Sequence, residues 1–303
     1  MKWTQLLRLL AALALVLGTL VATGCGDDDD DDGGGGQPAG EAKQFPANTT
    51  MGKIQERGEI TIGVKFDVPP FGFKNPQTNE VEGFDVDIGR FIAEELGVEP
   101  KFIEAISDNR IPFLEKGTVD LILSTMTINA ERDTEIDFSQ PYYIAQGRIL
   151  VPKGSDIKGL GDLAGNSVCT ALGSTYEETI RERAPDADLK LVDLYSECLE
   201  LLQTDAVDAI STDDVILTGM IIQDDSLHMV GDELSVEPYG IGIPDGDAEM
   251  KEFVDGVLAE MFEDGSWDEI YTEWVGNYTD TEPEQPDLTL DEALEMRPCE
   301  EFC

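Results

Sequence analysis

The sequence predicts an α/β protein built as two similar lobes, and three observations carry that reading. Strand-like and helix-like patterns alternate along most of the chain. One segment recurs: LEKGTVDLILST, from Leu114 to Thr125, is echoed by LLQTDAVDAIST, from Leu201 to Thr212. In both copies a helical pattern feeds an apolar strand that ends in small hydroxyl residues, and open α/β sheets bind ligands beyond the carboxyl ends of their strands. The echo taken alone also fits one larger sheet.

The elements follow in order. Lys2 and Arg8 precede an apolar run from Leu9 to Val21 that is too short to span a membrane and ends in Ala22-Thr23-Gly24-Cys25. Residues 1–24 therefore read as a secretory signal. Small residues directly before a cysteine resemble the lipobox of bacterial and archaeal lipoproteins, which implies lipid on Cys25, although Ala22 stands where leucine is usual. Ordinary signal-peptidase cleavage nearby is the other reading. Residues 25–54 read as a tether, because Asp27–Asp32 and Gly33–Gly36 cannot bury a core. About 25 such residues reach roughly 25–30 Å. The aspartate run lacks the turn glycine and distal glutamate of a calcium loop.

In the body, Glu59–Lys65 reads as a buried strand. Phe84, Ile88, Phe91, Ile92 and Leu96 recur at helical spacing, followed by a strand at Lys101–Ile106 and a helix at Ile111–Lys116. Val119–Leu123 and Arg148–Val151 are aliphatic enough for cores, Ser167–Leu172 reads as a strand and Tyr195–Gln203 as a helix. Beyond Pro283 and Pro286 a short helix is expected at Leu290–Met296. With Cys25 set aside, Cys169, Cys198, Cys299 and Cys303 are even in number, as suits an oxidising compartment, and allow three pairings. Cys169–Cys198, strand to helix within one α/β unit, with Cys299–Cys303, is the expected one. The spacing does not match a paired C-x2-C metal site.

Composition excludes several functions. The 303 residues hold 64 acidic and 20 basic side chains, a formal charge of −44, and such a surface repels nucleic acid and anionic lipid alike. It also suits a high-salt habitat, where charges are screened over a few ångströms. His228 is the only histidine, which argues against histidine triads and multi-histidine zinc sites; it reads as a solvated surface imidazole. No cofactor or metal is expected. In so acidic a chain, any cation facing a ligand is informative.

Several ordered motifs give a resemblance. Gly83-Phe84-Asp85-Val86-Asp87, the run Ser124-Thr125-Met126-Thr127-Ile128-Asn129-Ala130-Glu131-Arg132, Phe138-Ser139-Gln140-Pro141-Tyr142-Tyr143 and Gly173-Ser174-Thr175 resemble the family-3 periplasmic amino-acid-binding proteins of ABC importers. The match covers about residues 55–278. It implies the type II periplasmic-binding-protein fold: two α/β lobes joined by two hinge crossovers, here near Tyr143–Gln146 and Pro238–Gly240, closing over an amino acid. The expected division is lobe 1 at 55–145 and 239–278, lobe 2 at 146–238, and an acidic extension at 279–303 outside the match.

The resemblance also implies roles. Arg132 matches the arginine that clamps the ligand α-carboxylate, for which a planar fork of donors is suited. Ser124, Thr125 and Thr127 match hydroxyl and backbone contacts beside it, Ser174 and Thr175 match the second lobe's hydroxyls and helix N-terminus, and Asp213 matches the acid that receives the α-ammonium. Lys65 stands where receptors for basic amino acids carry an acid. Asn109-Arg110-Ile111-Pro112 resembles the loop of glutamate/aspartate receptors in which the arginine faces the side chain, with Ser107 as a hydroxyl donor. Cys169, Tyr195-Ser196-Glu197-Cys198 and Thr212-Asp213-Asp214 resemble the glutamate-binding lipoproteins of actinobacteria.

Two cations at ligand-facing ends imply an anionic side chain, unless they pair with local acids such as Asp67 or Asp108. The expected protein is thus a monomeric receptor that captures glutamate or aspartate by lobe closure and presents it to a membrane permease, with the Cys25 lipid holding it near by. The alternatives are a receptor for glutamine or another polar amino acid, or an enzyme like the cyclohexadienyl dehydratases that share this fold. The catalytic acid such an enzyme needs is not visible.

Overall fold

The computed structural model describes residues 43–296. The expected signal peptide, Cys25, Cys299 and Cys303 lie outside these residues. The chain begins with α1 (Thr50–Arg57) and β1 (Glu59–Val64), then a small antiparallel ribbon of β2 (Asp67–Val68), β3 (Gly72–Lys74) and β4 (Val81–Glu82). It continues through α2 (Phe84–Leu96), β5 (Glu99–Glu104), α3 (Arg110–Glu115), β6 (Leu121–Ile122) and β7 (Ile136–Phe138). The long β8 (Tyr143–Pro152) leads to β9 (Ser167–Ala171), α4 (Thr175–Arg183), β10 (Asp188–Val192), α5 (Tyr195–Gln203), β11 (Ala209–Asp213), α6 (Asp214–Gln223) and β12 (Leu227–Val230). Then come β13 (Val236–Tyr239), β14 (Gly242–Pro244), α7 (Ala248–Asp264), α8 (Ser266–Tyr271), a π turn at Thr272–Gly276, α9 (Asn277–Thr279) and α10 (Leu290–Glu295).

Two main sheets result. The first has the order β5-β1-β6-β14-β7 and the second β10-β9-β11-β8-β12. β1 is parallel to β5 and β6, and β9 is parallel to β10 and β11, pairings that require helical crossovers such as α2 and α4. The echoed segments supply equivalent pieces, β6 to the first sheet and β11 to the second. Each sheet anchors a lobe, and the chain passes between them twice, through β8 and β13. These strands pair antiparallel, Val236 opposite Gln146 and Tyr239 opposite Tyr143.

Burial follows the aliphatic pattern: Leu121, Ile122 and Leu123, like Ile149, Leu150 and Val151, are fully enclosed. At the hinge the core is aromatic, with Phe71 against Phe84, Tyr143 and Tyr239, and Phe84 against Tyr142 and Trp267. α2 starts beside this cluster. Its N-cap, Gly83, has φ 133°, and a Cβ there would overlap the Phe71 carbonyl. The Trp267 indole N–H donates to the Tyr142 carbonyl at 3.0 Å, and the Tyr142 hydroxyl donates to Asp85 at 2.7 Å.

Several expectations are corrected. Elements end one or two residues from the expected limits, as with β5, which begins at Glu99 because the β1 register pairs it with Glu59. The expected tether, 25–54, includes packed residues: Phe45 lies edge-on to Phe253 at 5.4 Å, and Met51 and Ile54 of α1 are buried. His228 is half-buried in β12 opposite Val151, with Nδ1 enclosed and unpartnered, because strand pairing draws it into the sheet. In the C-terminal extension, α10 buries Leu290 and Ala293 among Leu114, Ile136 and Phe138. A capping box of Thr289 and Glu292 starts that helix.

Candidate functional site

The expected site residues come together where the strands of both sheets end. Lys65 follows β1, Ser124 and Thr125 follow β6, Ser174 and Thr175 follow β9, and Asp213 ends β11. Ser107 and Arg110 lie at the start of the turn and helix after β5. A cavity of about 580 Å³ opens beside them, lined from one lobe by Ser107 and Arg132 and from the other by Gly173, Ser174 and Thr175.

Three cations are packed into this region without a carboxylate partner. Lys65 is 2% exposed; its Nζ donates to Ser107 Oγ at 2.8 Å and lies 5.5 Å from the Tyr195 ring centroid. Arg110, also 2% exposed, donates to the carbonyls of Ser107 (3.1 Å), Ser124 (2.9 Å), Thr125 (3.1 Å) and Gly173 (3.4 Å). Arg132 donates to the carbonyls of Thr127 (2.7 Å) and Gly173 (3.1 Å). Both guanidinium groups therefore reach across to one carbonyl of the facing lobe. The ion pairs among the described residues, such as Lys101–Glu59 and Lys251–Asp255, involve none of the three. Asp67 and Asp108 form no ion pair with any of them, although the charges of Asp67 and Asp213 act on Lys65 from farther off and favour its charged form. Burial, reinforced by the Arg110 charge, pushes Lys65 down to about 7. Arg110 is pushed down to about 9 by burial and then by Arg132.

The acids answer from the other side. Asp213 is 4% exposed and accepts from the Tyr176 hydroxyl at 2.9 Å. Glu237 of β13, fully buried, accepts from Ser235 (2.6 Å), Thr127 (2.7 Å) and Thr175 (3.1 Å). Burial first, and mutual repulsion for Asp213, hold both carboxyls above the usual carboxylate range. The hydroxyls of Ser124 and Ser174 donate to the carbonyls of Ala105 (2.8 Å) and Ala171 (2.7 Å). Most of the serine and threonine protons expected for a ligand carboxylate are thus engaged elsewhere; Thr125 and Ser107, whose Oγ accepts from Lys65, are the exceptions. Thr125 is held at φ 43° while its N–H donates to Asp85 Oδ2 at 2.9 Å. Burial pushes Asp85 up to about 7 against the opposing hydrogen bonds of Tyr142 and Thr125.

Glu237, Tyr176 and Tyr239 were not anticipated. The Tyr239 hydroxyl is buried beside Asp213 without a well-formed hydrogen bond, and Thr212 Oγ1 is likewise unpartnered. Buried orphans of this kind are expected where a polar ligand completes the network. The available signal was an acid standing one residue before the expected crossing at Pro238.

Two lobes, two crossovers and a polar cleft beside buried charges of both signs define a ligand-trapping receptor for a small zwitterion. The chain belongs to the bacterial extracellular solute-binding proteins, family 3, whose model matches residues 60–277. It is 40% identical to the ABC transporter glutamine-binding protein of Bacillus subtilis over 78% of this chain and 88% of that one. It is 34% identical to the glutamate-binding protein of Corynebacterium efficiens over 73% and 80%. Among solved structures, an ancestral arginine-binding protein bound to glutamine superimposes with a TM-score of 0.70 at 38% identity, covering 73% of this chain and 99% of that one. The chain is an amino-acid receptor of the ABC-transport class and not an enzyme.

Proposed function

We propose that the protein captures an acidic amino acid, L-glutamate or the shorter L-aspartate, and delivers it to an ABC permease in the membrane. The observation that carries this reading is the pair Lys65 and Arg110: two buried cations, close enough to perturb one another, with no carboxylate partner among the described residues. An unpaired buried charge is costly, and a ligand side-chain carboxylate relieves it. Arg132 serves the α-carboxylate and Asp213 the α-ammonium. Lipid on Cys25 holds the receptor at the outer face of the membrane; the mass of the N-terminal peptide tests that anchor.

Glutamine is the second reading, favoured by relatives at 40% and 43% identity that are named glutamine-binding. A side-chain amide can also hydrogen-bond to Ser107 and to a lysine that is readily neutral. A thermal-shift series with glutamate, aspartate, glutamine, arginine and cystine separates the two. A ligand at 100 times its dissociation constant adds about 2.7 kcal/mol, a shift of several degrees. The largest shift is expected with glutamate; a larger one with glutamine sinks the acidic-ligand reading.

A further inference from the structure

Beyond the ligand site, the stretch following β1 touches the second lobe twice. Asp67 Oδ2 accepts from the backbone N–H of Ser196 at 3.0 Å. Ser196 is the second residue of α5, whose own N-cap, Leu194, has no side chain able to accept a hydrogen bond. A first-turn amide of this helix is therefore satisfied by an acid from the other lobe, and a carboxylate there also meets the positive end of the helix dipole. Two residues further on, the Pro69 carbonyl oxygen lies so close to Gly219 in α6 that a Cβ at 219 would overlap it. Gly219 sits inside a regular helix with no positive φ. Nothing within α6 calls for glycine, since alanine is the better helix former; the approach of the other lobe does.

Tyr195 adjoins Ser196 and lies over Lys65 at 5.5 Å. The contact that caps α5 therefore also places an aromatic ring on the side-chain end of the site. The Cys169–Cys198 disulfide ties the same helix to β9, so α5 moves with its lobe.

We propose that Asp67 and Gly219 are positioning residues of a closure seal: Asp67 caps α5 from the opposite lobe, and the bare backbone at Gly219 receives the Pro69 carbonyl, so that Tyr195 covers Lys65 only when the lobes are shut. The seal favours the shut form whatever the ligand. Losing it lowers the binding-competent fraction and weakens every ligand by one common factor. It rests on amino-acid binding by closure and not on the charge of the ligand side chain.

The test uses the full chain as wild type, Gly219→Ala, Asp67→Ala and Asp67→Asn. The twenty L-amino acids are screened one by one by thermal shift, and each that responds with wild type is titrated by calorimetry. Gly219→Ala is expected to keep a ligand-free midpoint at or above wild type while losing the shift with every responding amino acid. Asp67→Ala should weaken each by about tenfold, the scale of a lost charge-assisted hydrogen bond. Asp67→Asn should stay within about threefold, because asparagine caps helices as well as aspartate does. Wild-type titrations in Gly219→Ala overturn the seal. So do equal losses in Asp67→Ala and Asp67→Asn, which would make Asp67 a charge partner of Lys65. A wild-type response to glutamine and not to glutamate fails the acidic-ligand reading and leaves these comparisons intact.

Discussion

Thr127 gives its hydroxyl proton to Glu237, Oγ1 to Oε2 at 2.7 Å, and Thr175 of the facing lobe donates to the same oxygen at 3.1 Å. An ionised carboxylate only accepts, and each hydroxyl has one proton. Both threonines therefore turn lone pairs, and not protons, toward anything else they touch, which suits an ammonium group better than a carboxylate.

Glu237→Gln is the direct probe of that arrangement. An amide keeps one acceptor oxygen and replaces the other with a donor nitrogen, so either Ser235 or the two threonines must reverse. Amino-acid affinity should fall about tenfold, the range of one charge-assisted hydrogen bond. Asp213 loses a repelling neighbour, so its titration, followed by NMR, should move to lower pH. Unchanged affinity would leave Glu237 as a hinge residue only.

Proton linkage separates the two candidate ligands. Lys65 at about 7 is mostly neutral near pH 8, and a ligand carboxylate favours its charged form, so glutamate binding should take up as much as about one proton. Glutamine should not. Any proton lost from Asp213 to the shared ammonium contact cancels in the difference. Because the bound state then holds more protons, glutamate's advantage over glutamine should grow as pH falls from about 9 to about 7. Calorimetry in buffers of different ionisation heat measures both; equal proton counts for the two ligands would remove Lys65 from side-chain recognition.

The ends of the ligand are separable by mutation. Arg132→Ala removes the group assigned to the α-carboxylate, so all amino acids should weaken together, by roughly 2–5 kcal/mol. Arg110→Met should weaken glutamate by a similar amount and glutamine far less, bringing the two affinities together. Equal losses in Arg110→Met would assign Arg110 to bracing the carbonyls of Ser124 and Thr125 that it already contacts.

The disulfide has a measurable share in stability. Cys169 and Cys198 are 29 positions apart, and the loop-entropy relation gives roughly 3–4 kcal/mol for such a closure. Cys198→Ser, paired with Cys169→Ser, should lower denaturant stability by about that amount. An unchanged midpoint would show that α5 is held by packing alone.

The C-terminal extension should matter to the fold and not to the ligand. Leu290 is 9% exposed and packs with Leu114 and Ile136. Leu290→Ala should cost about 2 kcal/mol and leave amino-acid affinity within about twofold. A larger change in affinity would tie α10 to the cleft through α3, which carries Leu114 and Arg110.

The alternation of patterns and the echo between Leu114–Thr125 and Leu201–Thr212 made both sheets legible, because period and strand-end chemistry are local properties. Tyr195–Gln203 was legible to the residue. Lys65 and Asp213 were legible as candidates because they stand at strand ends, and Arg110 because a motif marked it. Glu237 was not, because what singles it out is convergence: Thr127, Thr175 and Ser235 meet it from three parts of the chain. The Asp67–Ser196 contact spans 129 positions, and no periodicity reports such a pair. Hydroxyl direction was equally hidden, for a serine or threonine in a motif reveals that it can donate but not to whom.

The long strand β8 begins in the crossover, opposite β13, and continues without a break into the second sheet, between β11 and β12. Its ten residues span about 33 Å at about 3.3 Å each, so the swivel and the arm it turns are one piece of backbone. A paired ribbon bends more easily across its flat face than in its plane. Flexing of that ribbon beside Tyr143 and Tyr239 would carry the second sheet with it, and a few degrees there would become a wide displacement at the far end of an arm about 33 Å long.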